Sequence, residues 1–367
     1  MKILYCTSLA FPSTIANRFQ VLAMAKELNK QLGVNFYLGI SKLDPASEID
    51  VGQIIENNIQ KSYILAWKYL RFIKDKGIDY IYCREARLLF FLIIFNKLFI
   101  RRKINIIYEV HSLPLGGILS NVIENFLVRG VDNFIFITNS LKDIYVKKFK
   151  CSSKKVLICS DAVDLDIFDI EISKEEARKK IDLPQNVKLL GYCGKFTTMG
   201  QDKGIDTILQ SLRQLPPDIL FIAVGAKPKE LKHYEKLARQ YGVEGKVRFF
   251  IHVDQKKLAL YQKAFDVLLM PFPHTKHYAY YMSPLKMFEY MASKRPIIAT
   301  NLPSIREILN RKNAIIVKPD DPSDLANGIK KILEDKELAE QISEQAFKDV
   351  DNYTWEKRVK SILDFIR

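Results

Sequence analysis

Lys286 and Glu289, three residues apart, sit in the most chemically loaded stretch of the chain, Tyr-Met-Ser-Pro-Leu-Lys-Met-Phe-Glu-Tyr-Met-Ala-Ser-Lys-Arg-Pro-Ile-Ile-Ala-Thr from Tyr281 to Thr300. Ser283 is a favoured helix N-cap and Pro284 suits the first helical position, so the stretch reads as a helix over 284–294 followed by a buried strand. Met282 and Met287 fall at the two positions of a hydrophobic staple. The first turn of a helix favours Asp or Glu, yet this one carries Lys286 and no acid; a vacant positive helix end suits a bound anion. At roughly 100° per residue, Leu285, Phe288 and Ala292 share one face, with Glu289 about 40° from Leu285 at the border of that stripe. A carboxylate there needs donors. The hydroxyls of a ribose would supply them, with phosphates over the helix start; a half-exposed Glu289 paired with a nearby lysine is the other reading.

A second cationic feature follows the strand read over 187–193. Gly194-Lys195 ends that strand, a loop runs through Gly200, and Lys203-Gly204 opens the next helix. In so basic a chain a lone lysine carries no information. These two fall in a strand-to-helix turn, where backbone N–H groups and a helix start bind phosphate. Two histidines, His274 and His277, lie in the loop before the Tyr281 stretch without the carboxylate or cysteine set that a metal site needs.

The run Ser-Pro-Leu-Lys-Met-Phe-Glu-Tyr-Met-Ala followed by Pro-Ile-Ile-Ala-Thr resembles the C-terminal signature of family 4 of the retaining glycosyltransferases, whose GT-B fold is two facing Rossmann-like domains. The resemblance implies a ribose contact for Glu289, the second Glu of that family's Glu-x7-Glu. Tyr281 stands where the first belongs, so the family's sugar contact is not carried over. Gly194-Lys195 and Lys203-Gly204 resemble the family's Gly-Arg…Lys-Gly pair, whose basic residues bind the donor diphosphate; Lys195 keeps the charge and loses the bidentate fork. His111, after the strand over 105–111, fits the family's crevice histidine near the donor sugar. Asp161-Ala162-Val163-Asp164 is similar to its Asn-Gly-Val-Asp turn. The loop Thr7-Ser8-Leu9-Ala10-Phe11-Pro12-Ser13-Thr14 lacks the glycine pair common there.

The implied chemistry is sugar transfer from a nucleotide-diphosphate sugar to a glycan or lipid-linked glycan in surface polysaccharide synthesis, with retained configuration. Cleavage leaves negative charge on the diphosphate, so cations fixed at that spot favour the transition state over the ground state. His111, Lys195, Lys203 and Glu289 are the expected catalytic set. Gly194, Lys195, Lys203, Tyr281, Ser283, Pro284, Leu285 and Glu289 are the expected donor-binding set, with no metal and no other cofactor.

The elements that must position these residues alternate strand and helix: strands over 2–8, 34–40, 79–84, 105–111, 133–138 and 156–159, with helices over 17–31, 60–76, 86–99, 117–129 and 139–149 between them. The second half continues with strands 187–193, 218–224, 247–251, 266–271, 296–300 and 313–317, and helices 228–241, 256–264, 284–294, 321–333, 336–350 and 354–367. Such alternation means α/β, doubly wound parallel sheets, with ligands at strand carboxyl ends. The expected domains are 1–165 with the C-terminal helix 354–367 crossing back to it, an acceptor-binding half, and 187–353, the nucleotide-sugar half. Residues 166–186 join them, with a capping box at Ser173-x-x-Glu176.

Bulk properties narrow the classes. The 367 residues are 48% hydrophobic, enough for two cores. Five cysteines without C-x-x-C or ligand spacing read as reduced core thiols. The longest apolar run, Leu88 to Phe95, is too short to span a bilayer, and the opening strand lacks signal-peptide character, so the expected location is cytoplasmic. A net charge of +15 and pI near 9.3 call for anionic partners. No nucleic-acid motif is present. Arg101-Arg102-Lys103 beside Leu98-Phe99-Ile100, and the run Lys147, Lys148, Lys150, Lys154, Lys155, suit an anionic membrane surface at its inner face or a solvated rim. A non-catalytic binding protein on the same fold and a basic nucleic-acid binder are the rival classes.

Overall fold

The computed structural model describes residues 1–11, 16–43, 51–59, 61–114, 116–151 and 155–367. Pro12 to Thr14 of the glycine-free loop, residue 60 at the expected start of a helix, and Lys154 of the basic run lie outside the described residues. The chain divides into two compact units, Met1–Asp161 with Trp355–Arg367, and Ala162–Thr354.

The first unit is built on seven parallel strands in the order Gln53–Glu56, Phe36–Ile40, Ile3–Cys6, Tyr80–Cys83, Asn105–Val110, Asn133–Phe136, Lys155–Ile158. The first strand of the chain lies inside the sheet, and growth reverses between Ile3–Cys6 and Tyr80–Cys83. Ligands bind such sheets at that reversal, so Thr7, Ser8, Arg84 and Glu85 hold the privileged places. Strand Gln53–Glu56 is not legible in residue order: an edge strand pairs on one side only, and its exposed Gln53 and Glu56 flank just two apolar residues. Helix Trp355–Ile366 belongs to this unit. Its Val359, Ile362, Leu363 and Ile366 are buried in one cluster with Val21, Met24, Ala25 and Leu28 of helix Ala16–Leu32.

The second unit repeats the plan with six parallel strands: Val247–Ile251, Ile219–Ala226, Lys188–Cys193, Val267–Met270, Ile297–Thr300 and Ile315–Val317. Alternation along Lys188–Cys193 sends Leu189 and Cys193 into one core layer and Leu190 and Tyr192 into the other. Its reversal lies between Lys188–Cys193 and Val267–Met270, so Gly194-Lys195 and Pro271-Phe272 are the equivalent places.

Residues 166–186, which the sequence presents as a connection, are packed into the second unit. Ser173 and Glu176 form the expected capping box of helix Lys174–Lys180. Arg178 is buried: it donates to the carbonyls of Ala264 (2.8 Å), Gln185 (3.0 Å) and Val187 (3.2 Å) and pairs with Asp266 at 2.7 Å. Asp266 also accepts from Leu189 N at 2.7 Å, which fixes the start of the strand leading to Gly194. Arg178→Met should therefore destabilise this unit by about 3–5 kcal/mol, the cost of stranding a buried partner. Both tryptophans, Trp67 and Trp355, lie in the first unit. In urea the far-UV circular-dichroism transition should move to lower concentration while tryptophan fluorescence holds its midpoint; a circular-dichroism transition that does not move would refute the role of Arg178.

Candidate functional site

In the second unit the turn after Lys188–Cys193 is clamped from several sides. Tyr290 Oη accepts from Cys193 N at 2.7 Å and donates to Cys193 O at 3.3 Å. Gly194 N donates to Val224 O at 2.8 Å. Gly194 and Gly225 both hold positive φ, and a Cβ on Gly225 would stand 2.5 Å from Gly194 O, so the turn lies directly against the neighbouring strand. Tyr192 Oη donates to Lys195 O at 2.8 Å. Lys203 follows the small hairpin Thr197–Thr198 with Gln201–Asp202, and its N–H reaches Phe196 O at 3.0 Å. Gly204, at φ +96°, caps helix Ile205–Ser211; a Cβ there would lie 1.9 Å from Pro271 O.

These clamps gather positive charge. Burial lowers the Lys203 ammonium to about 8, and Lys195 and then Lys227 push the same way against Glu230. His277 is lowered by burial and then by Lys203, and His252 by burial and then by Lys195. Lys286 is buried, lowered well below its ordinary value by desolvation and then by Lys203, and its Nζ lies 3.5 Å from the Tyr192 ring centre. Sequence reasoning noticed Lys286 only as an odd first-turn charge.

The central helix runs Leu285–Ala292. Pro284, not Ser283, occupies its cap position, where proline's ring sets the extended backbone at φ −78°, ψ 124°, so the expected cap at Ser283 and proline at the first helical position are both displaced by one residue. That shift takes Met282 and Met287 off the staple positions, although both are buried in the same core cluster. Lys286 through Ala292 are all buried, so the expected one-sided stripe is a helix enclosed nearly all round. Glu289 is buried with them, in no recorded ion pair. Its one recorded hydrogen bond comes from Gln262 Nε2 at 3.4 Å, and burial raises its carboxyl to about 7 against the pull of Lys286. The half-exposed, lysine-paired reading of Glu289 does not fit this geometry. Tyr281 is half-buried at the end of the short helix Lys276–Tyr280, where the sequence offered only a covering loop.

His111 lies in the first unit, inside a network that is already complete. Arg84 Nη2 stands 3.0 Å from His111 Nδ1 and donates to Gln20 Oε1 at 3.0 Å. A guanidinium only donates, so Nδ1 accepts and the ring proton sits on Nε2, which bonds to Glu109. Glu109 also accepts from Tyr82 and pairs with Arg358 of the last helix at 3.1 Å. Burial alone would raise the Glu109 carboxyl, but Arg358 and then His111 hold it near 2; burial and then Arg84 lower His111 to about 4. His111 is therefore neutral, with both ring nitrogens engaged. Asp161, in the turn similar to Asn-Gly-Val-Asp, accepts from Gln20 at 2.5 Å and is raised by burial to about 7. In the glycine-free loop, Glu85 takes Thr7 Oγ1 at 2.6 Å, Ser8 N at 2.8 Å and the Ser8 hydroxyl. Side-chain bonds hold this loop in place of glycine backbone. The Arg84 and Arg358 contacts do not follow from sequence spacing, since they join residues far apart in the chain.

Among the described residues no group of three or more His, Cys, Asp or Glu is placed to hold a metal ion. No helix among them is long and apolar enough to cross a membrane.

Residues 173–349 match the family profile described as glycosyl transferases group 1. An uncharacterized glycosyltransferase of Methanocaldococcus jannaschii is 27% identical over 236 residues, 63% of this chain and 58% of that protein. A D-inositol 3-phosphate glycosyltransferase of Xylanimonas cellulosilytica is 23% identical over 260 residues, 68% of this chain and 60% of that protein. The match spans under two thirds of each relative's length. Anabaena HepE, solved in complex with UDP, is similar in fold over 100% of this chain and 99% of its own, at a TM-score of 0.79 and 17% identity. The chain therefore has the GT-B fold, two doubly wound parallel-sheet units, and its second unit matches the profile of the group 1 glycosyl transferases.

Proposed function

We propose that this protein transfers a sugar from a nucleotide-diphosphate sugar to a glycan or lipid-linked glycan acceptor, with retention of configuration, in cell-surface polysaccharide synthesis. The observation that carries the reading is the pairing, in one unit, of a lysine-bearing turn at the sheet reversal with a buried carboxylate one turn into the adjacent helix. Lys195 and Lys203 take the diphosphate, and the start of helix Leu285–Ala292 adds its positive end. Glu289 takes the ribose hydroxyls, which are the donors a buried carboxylate lacks in the empty site. The UDP bound to the fold relative HepE supports a nucleotide ligand of this kind. The lysines supply the charge without a divalent ion. The expected sugar contact of His111, in the first unit, is that of a neutral ring, which orients and does not transfer a proton.

Membrane attachment is peripheral in this reading. Leu98 and Phe99, 59% and 60% exposed, stand beside Lys97, Arg101, Arg102 and Lys103, and Ile118, Leu119 and Val122 are exposed in the same unit. Apolar side chains ringed by lysine and arginine suit an anionic bilayer surface. Co-sedimentation with vesicles containing phosphatidylglycerol should fall with added salt and with Phe99→Asp; equal binding to neutral vesicles would remove the surface from the proposal.

The donor site is tested by calorimetry in the presence of a chelator, with UDP and its 2′,3′-dideoxy analogue. Wild type should prefer UDP by roughly 1–3 kcal/mol, and Glu289→Gln should bind the two about equally. Lys203→Ala should weaken both alike. Loss of all binding on chelation, or a Glu289→Gln variant that keeps the ribose preference, would overturn the assignments.

The same carboxyl gives a pH signature without ligand. An acid raised in the folded state, here from 4.5 to about 7, adds stability below its unfolded value and loses it as pH rises through its folded value. Glu289→Gln removes that dependence. Relative to wild type, the variant should gain roughly 2–4 kcal/mol between pH 5 and pH 8 in urea unfolding; parallel curves would show an ordinary surface-like carboxyl.

A further inference from the structure

Lys286 is 7% exposed, and its Nζ has no hydrogen-bond partner among the described residues. An amine with three donors stranded in this way is costly, and an apolar side chain would pack there at less expense. Its position is specific. A Cβ on Gly194 would touch Lys286 Cε at 3.2 Å and Nζ at 3.3 Å, so the amine lies directly against the Gly194-Lys195 turn. The Tyr192 ring is 3.5 Å away and the Phe272 ring 5.4 Å, giving it a cushion for positive charge but nothing to donate to.

We propose that Lys286 is a third cation of the phosphate site, a positioning residue that serves a bound nucleoside diphosphate from beneath the Gly194-Lys195 turn. The inference rests on the reading of that turn as a diphosphate site. The charged and titratable groups facing the amine are Lys203 from the turn before Ile205–Ser211, Cys193 from the central strand, Glu289 from its own helix and Asp202 from the small hairpin. Burial and then Lys203 weaken the amine's hold on its proton, against the pull of Cys193, Glu289 and Asp202. A diphosphate above the turn reverses the local field, and the amine then takes up a proton from solvent: one N–H bond forms, and the positive charge stays on Lys286. In the empty protein the folded state binds fewer protons at this position than the unfolded chain, so stability rises with pH up to the ordinary lysine range. Methionine at 286 would remove that cost at neutral pH.

The test is calorimetry at pH 7 with UDP and with inorganic pyrophosphate, in buffers of different ionisation enthalpy, on wild type, Lys286→Met and Lys203→Met. Pyrophosphate has no ribose, so comparing the two ligands separates the ribose contact of Glu289 from the contacts to phosphate. Wild type should take up more proton than Lys286→Met with either ligand, whereas Lys203, already mostly protonated at pH 7, should account for only about a tenth of one. Lys286→Met should bind UDP roughly tenfold more weakly and, when empty, melt at a higher temperature than wild type. Equal proton uptake and equal affinity in the two proteins, or a lowered melting temperature in the empty variant, would overturn the role. Should Lys286→Met not fold, the wild-type count decides alone, since no uptake with either ligand excludes an amine gaining a proton on binding. Failure of wild type to bind either ligand is a different result, because it overturns the diphosphate reading itself and this inference with it.

Discussion

The cost of taking ammonium groups out of water, with repulsion between them second, governs the second unit. Burial and then Lys203 lower the tendency of Lys286 to hold a proton, and burial and then Lys195 do the same to Lys203. Neither Lys203 nor Lys286 has a recorded ion pair among the described residues. In a protein interior such an arrangement is uphill, because a charge loses its hydration before any partner replaces it. It persists because the surrounding structure is rigid and stable enough to bear it. In the proposed function a dianionic ligand turns each of these costs into attraction.

The rigidity comes from contacts that leave no room for relaxation. Tyr290 grips both backbone groups of Cys193, Gly225 lets Gly194 O lie against its Cα, and Gly204 does the same for Pro271 O. A looser turn would let Lys195 and Lys203 swing to solvent and lose the preset field. Further back, Arg178 and Asp266 fix the root of the strand that ends at this turn. The segment containing Arg178 is therefore part of the machinery that positions the phosphate turn, although it looks like a tether in the sequence.

Much of this was legible from residue order. Strand-to-helix alternation locates the long helices, and every strand of the two main sheets but Gln53–Glu56, within a few residues, since a doubly wound sheet repeats one local pattern. The turn lysines and Glu289 were singled out because the places after a strand and at a helix start have a fixed geometry. Edge strand Gln53–Glu56 escaped because two apolar residues between polar ends carry almost no period. The cap at Ser283 was off by one, as helix ends often are. Tyr290 and Arg178 escaped for a deeper reason: each acts through a partner brought near only by the sheet, 97 and 88 residues away in the chain respectively.

The two units treat their charged groups in opposite ways, and the difference follows from what each has to do. In the first, Arg84, His111, Glu109 and Arg358 form a closed set in which the buried carboxylate has two cationic or donating partners and the imidazole has both nitrogens occupied. Such a network resists change: Arg358 arrives from the last helix, so that helix, His111 and the strand end are fixed together, and the ring is kept neutral in one orientation. In the second, Lys286 Nζ and Gln262 Oε1 are among the buried polar atoms without a hydrogen-bond partner, and Glu289 holds one long bond. Native proteins leave few such atoms, and those they leave need a reason. In the proposed function a ligand with negative phosphates and a donating ribose gives Lys286 and Glu289 that reason, whereas the Arg84, His111, Glu109 and Arg358 set of the first unit is paired within itself.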